Sequence, residues 1–357
     1  MADVTILDHP ESYAARDPGT MLGHIQALWP QVRTAYQTSR TVALPDDYRQ
    51  VKQVVLTGMG GSGIGGALLA GVAEPLSRVP VLVQRGYTLP NFVDEDTLVI
   101  ASSYSGETEE TLSALADAHE RGAKLLAVTT GGELAQRAEA LGIPMYQFTY
   151  TSQPRAALGY SFGALLGLTV SLDLLPDQAA DLKEAEAVMA EWGAEIGPVV
   201  PTVRNPAKKL ASELKGDFPF VFAAEHLAPV AQRWKSQFNE NSKSWAAFDT
   251  FPEVSHTTVA GFAHPYIAPE DVFVVILDSE RYHPRLRDQI QPTLDLLAQA
   301  NIAELTIAAR GESALAQMLG LVYLGDYVSY YLALLNDEDP TPVRPLETLQ
   351  ARLGRAS

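Results

Sequence analysis

Short, nearly continuous apolar runs alternate with segments of helical periodicity through much of the chain. Runs with little alternation of apolar and polar positions are typical of strands buried on both faces of a parallel sheet. The pattern predicts eight strands, at residues 51–58, 79–84, 96–103, 124–130, 144–148, 218–224, 271–279 and 304–310. Helical segments separate them, so we expect an α/β protein with two doubly wound parallel-sheet halves.

Three further helical segments accompany the two halves. Residues 17–37 predict an N-terminal helix with Asp17 near its start, residues 156–195 are almost wholly helical, and residues 313–336 predict one long helix. The proline-flanked stretch GPVVPTVRNP lies between the halves. We therefore expect a domain boundary there, with domains at residues 1–200 and 201–357.

Composition excludes several classes of function. The 357 residues carry 26 basic and 43 acidic side chains, a net charge of −17, so nucleic acid and anionic lipid are poor partners. There is no cysteine, which removes disulfides and thiolate chemistry, and the seven histidines show no close metal-ligand spacing. The acidic N-terminus lacks the apolar core of a signal peptide, and the longest uncharged run, 156–172, is short for a membrane span. We expect a soluble, cytoplasmic protein without a metal site.

The sequence GMGGSGIGG, at 58–66, follows the first strand and opens a helix, where free backbone N–H groups suit an anion. Gly58, Gly60 and Gly63 match the dinucleotide fingerprint, but the next strand ends in Arg85 instead of a ribose-binding acid, which suits only a 2′-phosphate. A Walker loop needs Gly-Lys-Ser/Thr, and no lysine stands here. The third interpretation is one phosphate monoester, held together with a second loop.

A second loop of this kind follows the third strand. SSYSGETEET, at 102–111, places the hydroxyls of Ser103, Ser105 and Thr108 at the start of another helix. Hydroxyls and free N–H groups at the positive end of a helix suit a compact dianion. A plain helix N-cap also explains such a loop taken alone. Two anion-type loops at neighbouring strand ends favour a phosphate site.

The second loop resembles the phosphosugar-binding signature of the sugar isomerase (SIS) domain, and the two halves resemble the flavodoxin-like double-SIS layout of the phosphoglucose isomerase superfamily. Bifunctional phosphoglucose/phosphomannose isomerases are similar nearly end to end, through DPGTMLGHIQALWPQ, QPRAALGYSFGALL, FNENSKSWAAFDTFPEVSH and YLGDYVSYYLALLNDEDPTPVRPLETL. The resemblance implies an aldose–ketose isomerase without a cofactor. It would interconvert glucose 6-phosphate, mannose 6-phosphate or both with fructose 6-phosphate through a cis-enediol.

The resemblance also implies roles for individual residues. The phosphate would be held by Gly60, Gly61, Ser62, Ser103, Ser105 and Thr108. Glu240 would move the proton between C1 and C2, Arg155 would hold the enediolate oxygens, and Thr341 would help shape the sugar pocket. His256 would open the sugar ring from the neighbouring subunit, which implies a homodimer with a shared active site.

The three proposed catalytic side chains also have explanations that involve no function. Glu240 alone is a solvated helical glutamate, His256 a packed or capping histidine, and Arg155 a member of a surface salt bridge. The sequence also departs from the family pattern: Glu107 stands where asparagine is frequent, and we expect it to face solvent or a basic neighbour.

Two further departures lie near the C-terminal half of the site. Thr257 and Thr258 replace the usual Asn-Glu after the histidine, and the last helix has no lysine, with Arg344 and Arg352 as its only cations. These departures leave a second hypothesis open, a non-catalytic or weakly active phosphosugar-binding protein. A third, an NADP oxidoreductase, rests on the dinucleotide fingerprint and Arg85.

Overall fold

The computed structural model describes residues 4–264 and 268–354. The chain forms two compact units, one of Gln26–Ala180 and the other of Met1–Ile25 together with Asp181–Ser357. These units differ from the predicted domains, because the N-terminal residues pack with the second half and that half begins before residue 201. Tyr13, for example, lies edge-on against Tyr330, with ring centroids 6.1 Å apart.

Two parallel sheets carry the fold, as the apolar runs predict. Their strands are β1 Gln53–Thr57, β2 Val81–Gln84, β3 Thr97–Ser103, β4 Lys124–Thr129, β5 Met145–Gln147, β6 Phe218–Ala224, β7 Ala247–Phe251, β8 Val272–Asp278 and β9 Ala303–Ala308. Helices α1–α6 are Met21–Gln26, Leu28–Ser39, Gly60–Ala73, Glu109–Glu120, Gly132–Leu141 and Leu158–Ser171. Helices α7–α13 are Ala179–Ile196, Pro206–Glu213, Ala228–Gln237, Ala268–Asp271, Pro284–Gln299, Ala314–Leu335 and Arg344–Arg352.

The sheet of the Gln26–Ala180 unit has the order β2-β1-β3-β4-β5, with parallel neighbours throughout. Every residue of β3 is buried, which is why its sequence reads as a continuous apolar run. The chain moves outward from β1 in one direction to β2 and in the other to β3. This reversal is the topological switch point at which open α/β sheets bind ligands, beyond the carboxyl ends of the strands.

The sheet of the other unit has the order β7-β6-β8-β9, again parallel. Its edge strand β7 is absent from the predicted elements. The sequence AFDTF is only half-buried over its first four residues and pairs on one side with β6, so it carries no continuous apolar signal. The predicted two doubly wound sheets and long C-terminal helix are confirmed.

Helix α12 forms the centre of the unit that contains β6–β9. All but the first of its 22 residues are buried, so its length and apolarity, which would suffice to cross a membrane, are accounted for by the core. Helix α9 packs against it: the indole N–H of Trp234 donates to the Leu321 carbonyl at 2.8 Å. Arg233 forms a buried two-point ion pair with Asp326, at 3.1 and 2.9 Å.

The predicted N-terminal helix of residues 17–37 is divided into α1 and α2 at Ala27. Asp17 caps α1 as expected, because its carboxylate accepts the N–H groups of Met21 and Leu22 at 2.7 and 3.0 Å. Burial raises the pKa of the Asp17 carboxyl, and these two hydrogen bonds oppose that rise. The cap fixes the start of the segment that continues into the first α/β unit.

Candidate functional site

The two glycine- and serine-rich loops lie side by side at the switch point. Strands β1 and β3 pair in register, with Thr57 opposite Ala101, so the loops leave the same edge of the sheet. The backbone N–H of Tyr104, in the second loop, donates to the hydroxyl of Ser62, in the first turn of α3, at 3.2 Å. The two loops, which the sequence places at neighbouring strand ends, are therefore linked by a hydrogen bond.

The hydroxyls of the second loop do not serve as a simple helix cap. Thr108 occupies the position before α4, yet its side chain makes no capping hydrogen bond to the helix. Its hydroxyl lies 2.8 Å from that of Ser103, which also accepts the N–H of Gly106 at 3.1 Å. Ser105 is exposed at the tip of the loop. These hydrogen bonds order the loop that leads into α4.

Arg155 reaches the same place through a third segment. It lies in a 3₁₀ turn, Pro154–Ala157, that leads into α6. A Cβ on Gly61 would lie 2.8 Å from the Pro154 carbonyl oxygen and 3.0 Å from the Arg155 Cα, so only glycine permits this close approach. The Arg155 residue is 2% exposed, which excludes the surface salt bridge.

Glu107 is exposed and turned toward the next helix. Its carboxylate accepts the backbone N–H of Glu133 at 2.9 Å, in the first turn of α5. The partial positive charge of a helix N-terminus stabilises a carboxylate there. The acid beside the proposed phosphate loop therefore has its own electropositive partner.

Tyr104 is a residue of this site that the sequence interpretation missed. Its hydroxyl donates to the Tyr150 carbonyl at 2.5 Å and accepts the N–H of Ser152 at 3.0 Å. The residue thus joins the serine loop to the segment that leads to Arg155. The only signal in the sequence is its place inside SYSG, which does not show where its hydroxyl points.

Arg85, the cation that the dinucleotide interpretation requires for a 2′-phosphate, is engaged by the protein backbone. The Arg85 guanidinium donates to the Gly63 carbonyl of α3 at 3.2 Å. This contact holds the guanidinium to the backbone of the glycine-rich helix, and burial lowers the pKa of Arg85. Its observed role is to fasten that helix beside the end of β2.

Glu240 lies in the unit that contains β6–β9, on a short π-helix, Phe238–Ser242, that continues α9. The residue is half-buried. Single π-turns within helices are frequent at functional sites. Asn241, next in the chain, is fully buried and donates its side-chain N–H to the Ser329 hydroxyl at 3.0 Å, which fixes the turn against α12.

Thr341 and His256 belong to the same unit as Glu240. The Thr341 N–H donates to the Asp339 carboxylate at 2.9 Å, and its side chain lies so close to Gly19 that any Cβ there would overlap it. His256 is exposed and follows a 3₁₀ turn, Glu253–Ser255, to which its backbone N–H donates. Helix α13, with Arg344 and Arg352, has no buried residue.

Comparisons with known proteins identify the domains and the fold of the chain. The SIS domain model matches residues 47–150, and a model described as the bacterial phospho-glucose isomerase C-terminal SIS domain matches residues 203–353. A hypothetical protein of known structure from Thermus thermophilus has the same fold, with a TM-score of 0.73 at 18% identity over 98% of this chain and 94% of that one.

Two curated relatives extend over most of the chain. A bifunctional phosphoglucose/phosphomannose isomerase of Caldicellulosiruptor bescii is 40% identical, with 94% of this chain and 99% of that protein aligned. One of Aquifex aeolicus is 37% identical, with 87% and 92% aligned. The resemblance inferred from the sequence is confirmed: the chain belongs to the bifunctional phosphoglucose/phosphomannose isomerase family.

Proposed function

We propose that this protein interconverts glucose 6-phosphate and mannose 6-phosphate with fructose 6-phosphate in the cytoplasm. The observation that carries the proposal is the pair of joined loops after β1 and β3, in a chain that is 40% identical to an isomerase of this name over almost its full length. The length of that match favours an enzyme over a non-catalytic sugar-phosphate binder.

The phosphate group is the first part of the substrate to be fixed. The backbone of Gly60 and Gly61 and the hydroxyls of Ser62, Ser103, Ser105 and Thr108 supply its donors. Helices α3 and α4 both begin at these loops, so their dipoles favour the dianion. The turn of Glu107 toward α5 removes a competing interaction from the loop.

Glu240 acts as the base of the isomerisation. Its carboxylate takes the proton from C2 of the open-chain aldose and returns it to C1. The hydroxyl proton on O2 moves to O1, so that the carbonyl group passes from C1 to C2. Glutamate is among the side chains that serve as general bases in proton transfer from carbon. The half-buried π-turn supports this role, because it holds the residue on a fixed backbone.

Arg155 stabilises the enediolate formed between the two proton transfers. A guanidinium stays charged and presents a rigid fork of donors to two neighbouring oxygens. Its burial at the start of α6 opposes the helix dipole, and an anionic partner offsets that cost. The developing negative charge on O1 and O2 is such a partner.

His256 opens the sugar ring, and we place it in the active site of a partner subunit in a homodimer. The ring nitrogens of an imidazole can donate and accept protons, so a histidine can exchange a proton with the ring oxygen. The exposure of His256 in one chain supports its use by a second chain. Helix α13 has no lysine, and its exposed Arg344 and Arg352 take no part in this proposal.

The two aldoses are epimers at C2, so removal of the C2 proton from either gives the same kind of enediol. Thr341 lines the sugar pocket and leaves room for the rotation about C2–C3 that brings either proton toward Glu240. The choice between the two substrates then depends on the position of Thr341.

A direct test is to follow fructose 6-phosphate by proton NMR in deuterated buffer with a chelator and no nucleotide. The enzyme is expected to produce both aldose phosphates with deuterium at C2. Inorganic phosphate should inhibit competitively. If the protein binds fructose 6-phosphate but neither exchanges its hydrogen nor isomerises it, the proposed activity is wrong. The non-catalytic phosphosugar-binding protein is then the hypothesis that stands.

A further inference from the structure

The ammonium group of Lys243 joins two segments that the proposed function treats separately. Its Nζ donates to the carbonyl oxygens of Glu240 and Asn241, at 2.9 and 3.2 Å, and to that of Asp339, at 2.6 Å. The first two belong to the π-turn of the proposed base. The third belongs to the loop that precedes Thr341.

The backbone at Lys243 is shaped for this contact. The residue has φ of 56° and ψ of 22°, a left-handed conformation that ends the π-helix and turns its side chain back over the last carbonyl groups. Carbonyls at a helix C-terminus lack backbone partners and carry partial negative charge, so an ammonium group stabilises them. A half-buried lysine with three carbonyl ligands is a fixed support.

Asp339, whose carbonyl oxygen accepts from Lys243, also contacts Thr341. Its carboxylate accepts the Thr341 N–H at 2.9 Å. Gly19 also lies against the Thr341 side chain and limits its movement. A displacement of the Asp339 carbonyl is therefore transmitted to Thr341.

We infer that Lys243 is a positioning residue that sets the base turn and the Thr341 loop relative to each other, and through them sets the preference between glucose 6-phosphate and mannose 6-phosphate. The inference rests on the proposed roles of Glu240 and Thr341. Lys243 acts through its three carbonyl ligands and takes no part in proton transfer.

Asn336 offers a matched control. Its side-chain N–H groups donate to the Ser242 carbonyl at 2.9 Å and the Ser244 hydroxyl at 3.1 Å, so it also fastens this turn to the end of α12. The contacts it makes there do not include Asp339. Asn336→Ala is expected to lower the unfolding temperature and to leave the ratio of kcat/KM for the two aldoses within about twofold of wild type.

The test uses Lys243→Cys, because the natural chain has no cysteine. Alkylation of the unfolded variant with 2-bromoethylamine forms a C–S bond, releases bromide and restores an ammonium group at nearly the length of lysine. Wild-type protein is carried through the same unfolding, treatment and refolding. Steady-state kinetics are then measured with glucose 6-phosphate and mannose 6-phosphate.

Before alkylation, kcat is expected to fall about 10- to 100-fold, the effect of a small misplacement of a catalytic group. KM should change less, because the phosphate loops belong to another part of the chain, and the ratio of kcat/KM for the two aldoses should shift at least threefold, by about 0.6 kcal/mol or more. Aminoethylation should restore both kcat and the ratio.

Three results would overturn the inference: a wild-type ratio in Lys243→Cys, no recovery after aminoethylation when treated wild type is active, or an equal ratio shift in Asn336→Ala. If Lys243→Cys does not fold before alkylation, Lys243→Gln, which keeps a shorter neutral donor, carries the same test. A wild-type ratio in that variant overturns the inference too. An inactive wild type would instead contradict the proposed function.

Discussion

The carboxylate of Glu107 accepts the backbone N–H of Glu133 at 2.9 Å and so binds the first turn of α5. The departure from the family pattern at position 107 is thereby explained locally. A negative charge in the proposed phosphate loop is tolerated because it is directed to a neighbouring helix N-terminus, where such a contact contributes about 0.3–1 kcal/mol.

We therefore expect Glu107→Gln to change the KM for fructose 6-phosphate less than about threefold, since the side chain keeps its hydrogen bond and loses only a charge that α5 already offsets. Glu107→Ala should lower the unfolding temperature because α5 loses its acceptor. Steady-state kinetics and thermal unfolding measure the two effects. A tenfold or greater gain in affinity in Glu107→Gln would show that the carboxylate repels the bound phosphate.

The hydroxyl anchor makes a second prediction. Ser105→Ala and Thr108→Val each remove a hydrogen bond to a charged group, worth about 1.5–3 kcal/mol, so KM should rise roughly 10- to 100-fold. Ser113→Ala is the control: it removes a hydroxyl of α4, the helix that follows the loop, and this hydroxyl donates to the Tyr87 carbonyl at 2.8 Å. If both anchor variants bind as tightly as Ser113→Ala, the phosphate lies elsewhere.

Gly61 should tolerate no side chain, because a Cβ would press on the Pro154 carbonyl and the Arg155 backbone. Gly61→Ala is expected to reduce kcat/KM by about 100-fold through displacement of Arg155 and the first loop. Gly23→Ala, in α1, is the matched change: apart from its chain neighbours and the nearby backbone of its own helix, no atom of the described residues lies within 4 Å of the new Cβ, and alanine favours a helix. Equal activity of the two variants would mean that the contact of Gly61 with Arg155 has no catalytic consequence.

Buried strands were the most predictable part of the fold. The run at 96–103 predicts β3, Thr97–Ser103, because that strand is covered on both faces and each of its residues is buried. The sequence does not predict strand β7, because an edge strand that pairs with one neighbour tolerates Asp249 and Thr250. The sequence around it carried a functional resemblance and no strand signal.

The site was predictable as a set of loops and motifs, and less so as a set of contacts. Arg233 and Trp234 hold α9 against α12, and α9 continues into a π-turn; local periodicity in the sequence records neither feature. The contacts of Gly19 with Thr341 and of Lys243 with Asp339 join residues far apart in the chain. Their residue types have ordinary explanations until the fold brings them together.

The proposed sharing of the active site between two subunits predicts a specific result for mixed variants. If His256 of one chain serves Glu240 of its partner, a dimer of one His256→Ala chain and one Glu240→Gln chain contains one intact site and one site that lacks both groups. Random exchange of subunits should then restore about a quarter of the wild-type activity.

Exchange between the two variants is verified by mass-tagging one chain and measuring the fraction of mixed dimers. Each variant incubated alone under the same conditions is the control. Mixed dimers without recovered activity would show that His256 does not serve the partner's site. If His256 and Glu240 of one chain served the same site, each site of a mixed dimer would lack one of the two groups.

Glu240→Gln decides whether this side chain transfers the proton. The amide keeps the size and hydrogen-bonding capacity of the carboxylate but cannot accept a proton, so kcat should fall about 10²–10⁴-fold. KM for fructose 6-phosphate should change little, because the phosphate donors lie on β1–α3 and β3–α4, and the loss is confined to the transition state. Exchange of the C2 hydrogen of glucose 6-phosphate in deuterated water should fall by the same factor as kcat. Glu213→Gln, an exposed glutamate at the end of α8, should leave both rates unchanged. If Glu240→Gln retains exchange at the rate of Glu213→Gln, another group is the base, and the π-turn serves only to hold α9 against α12.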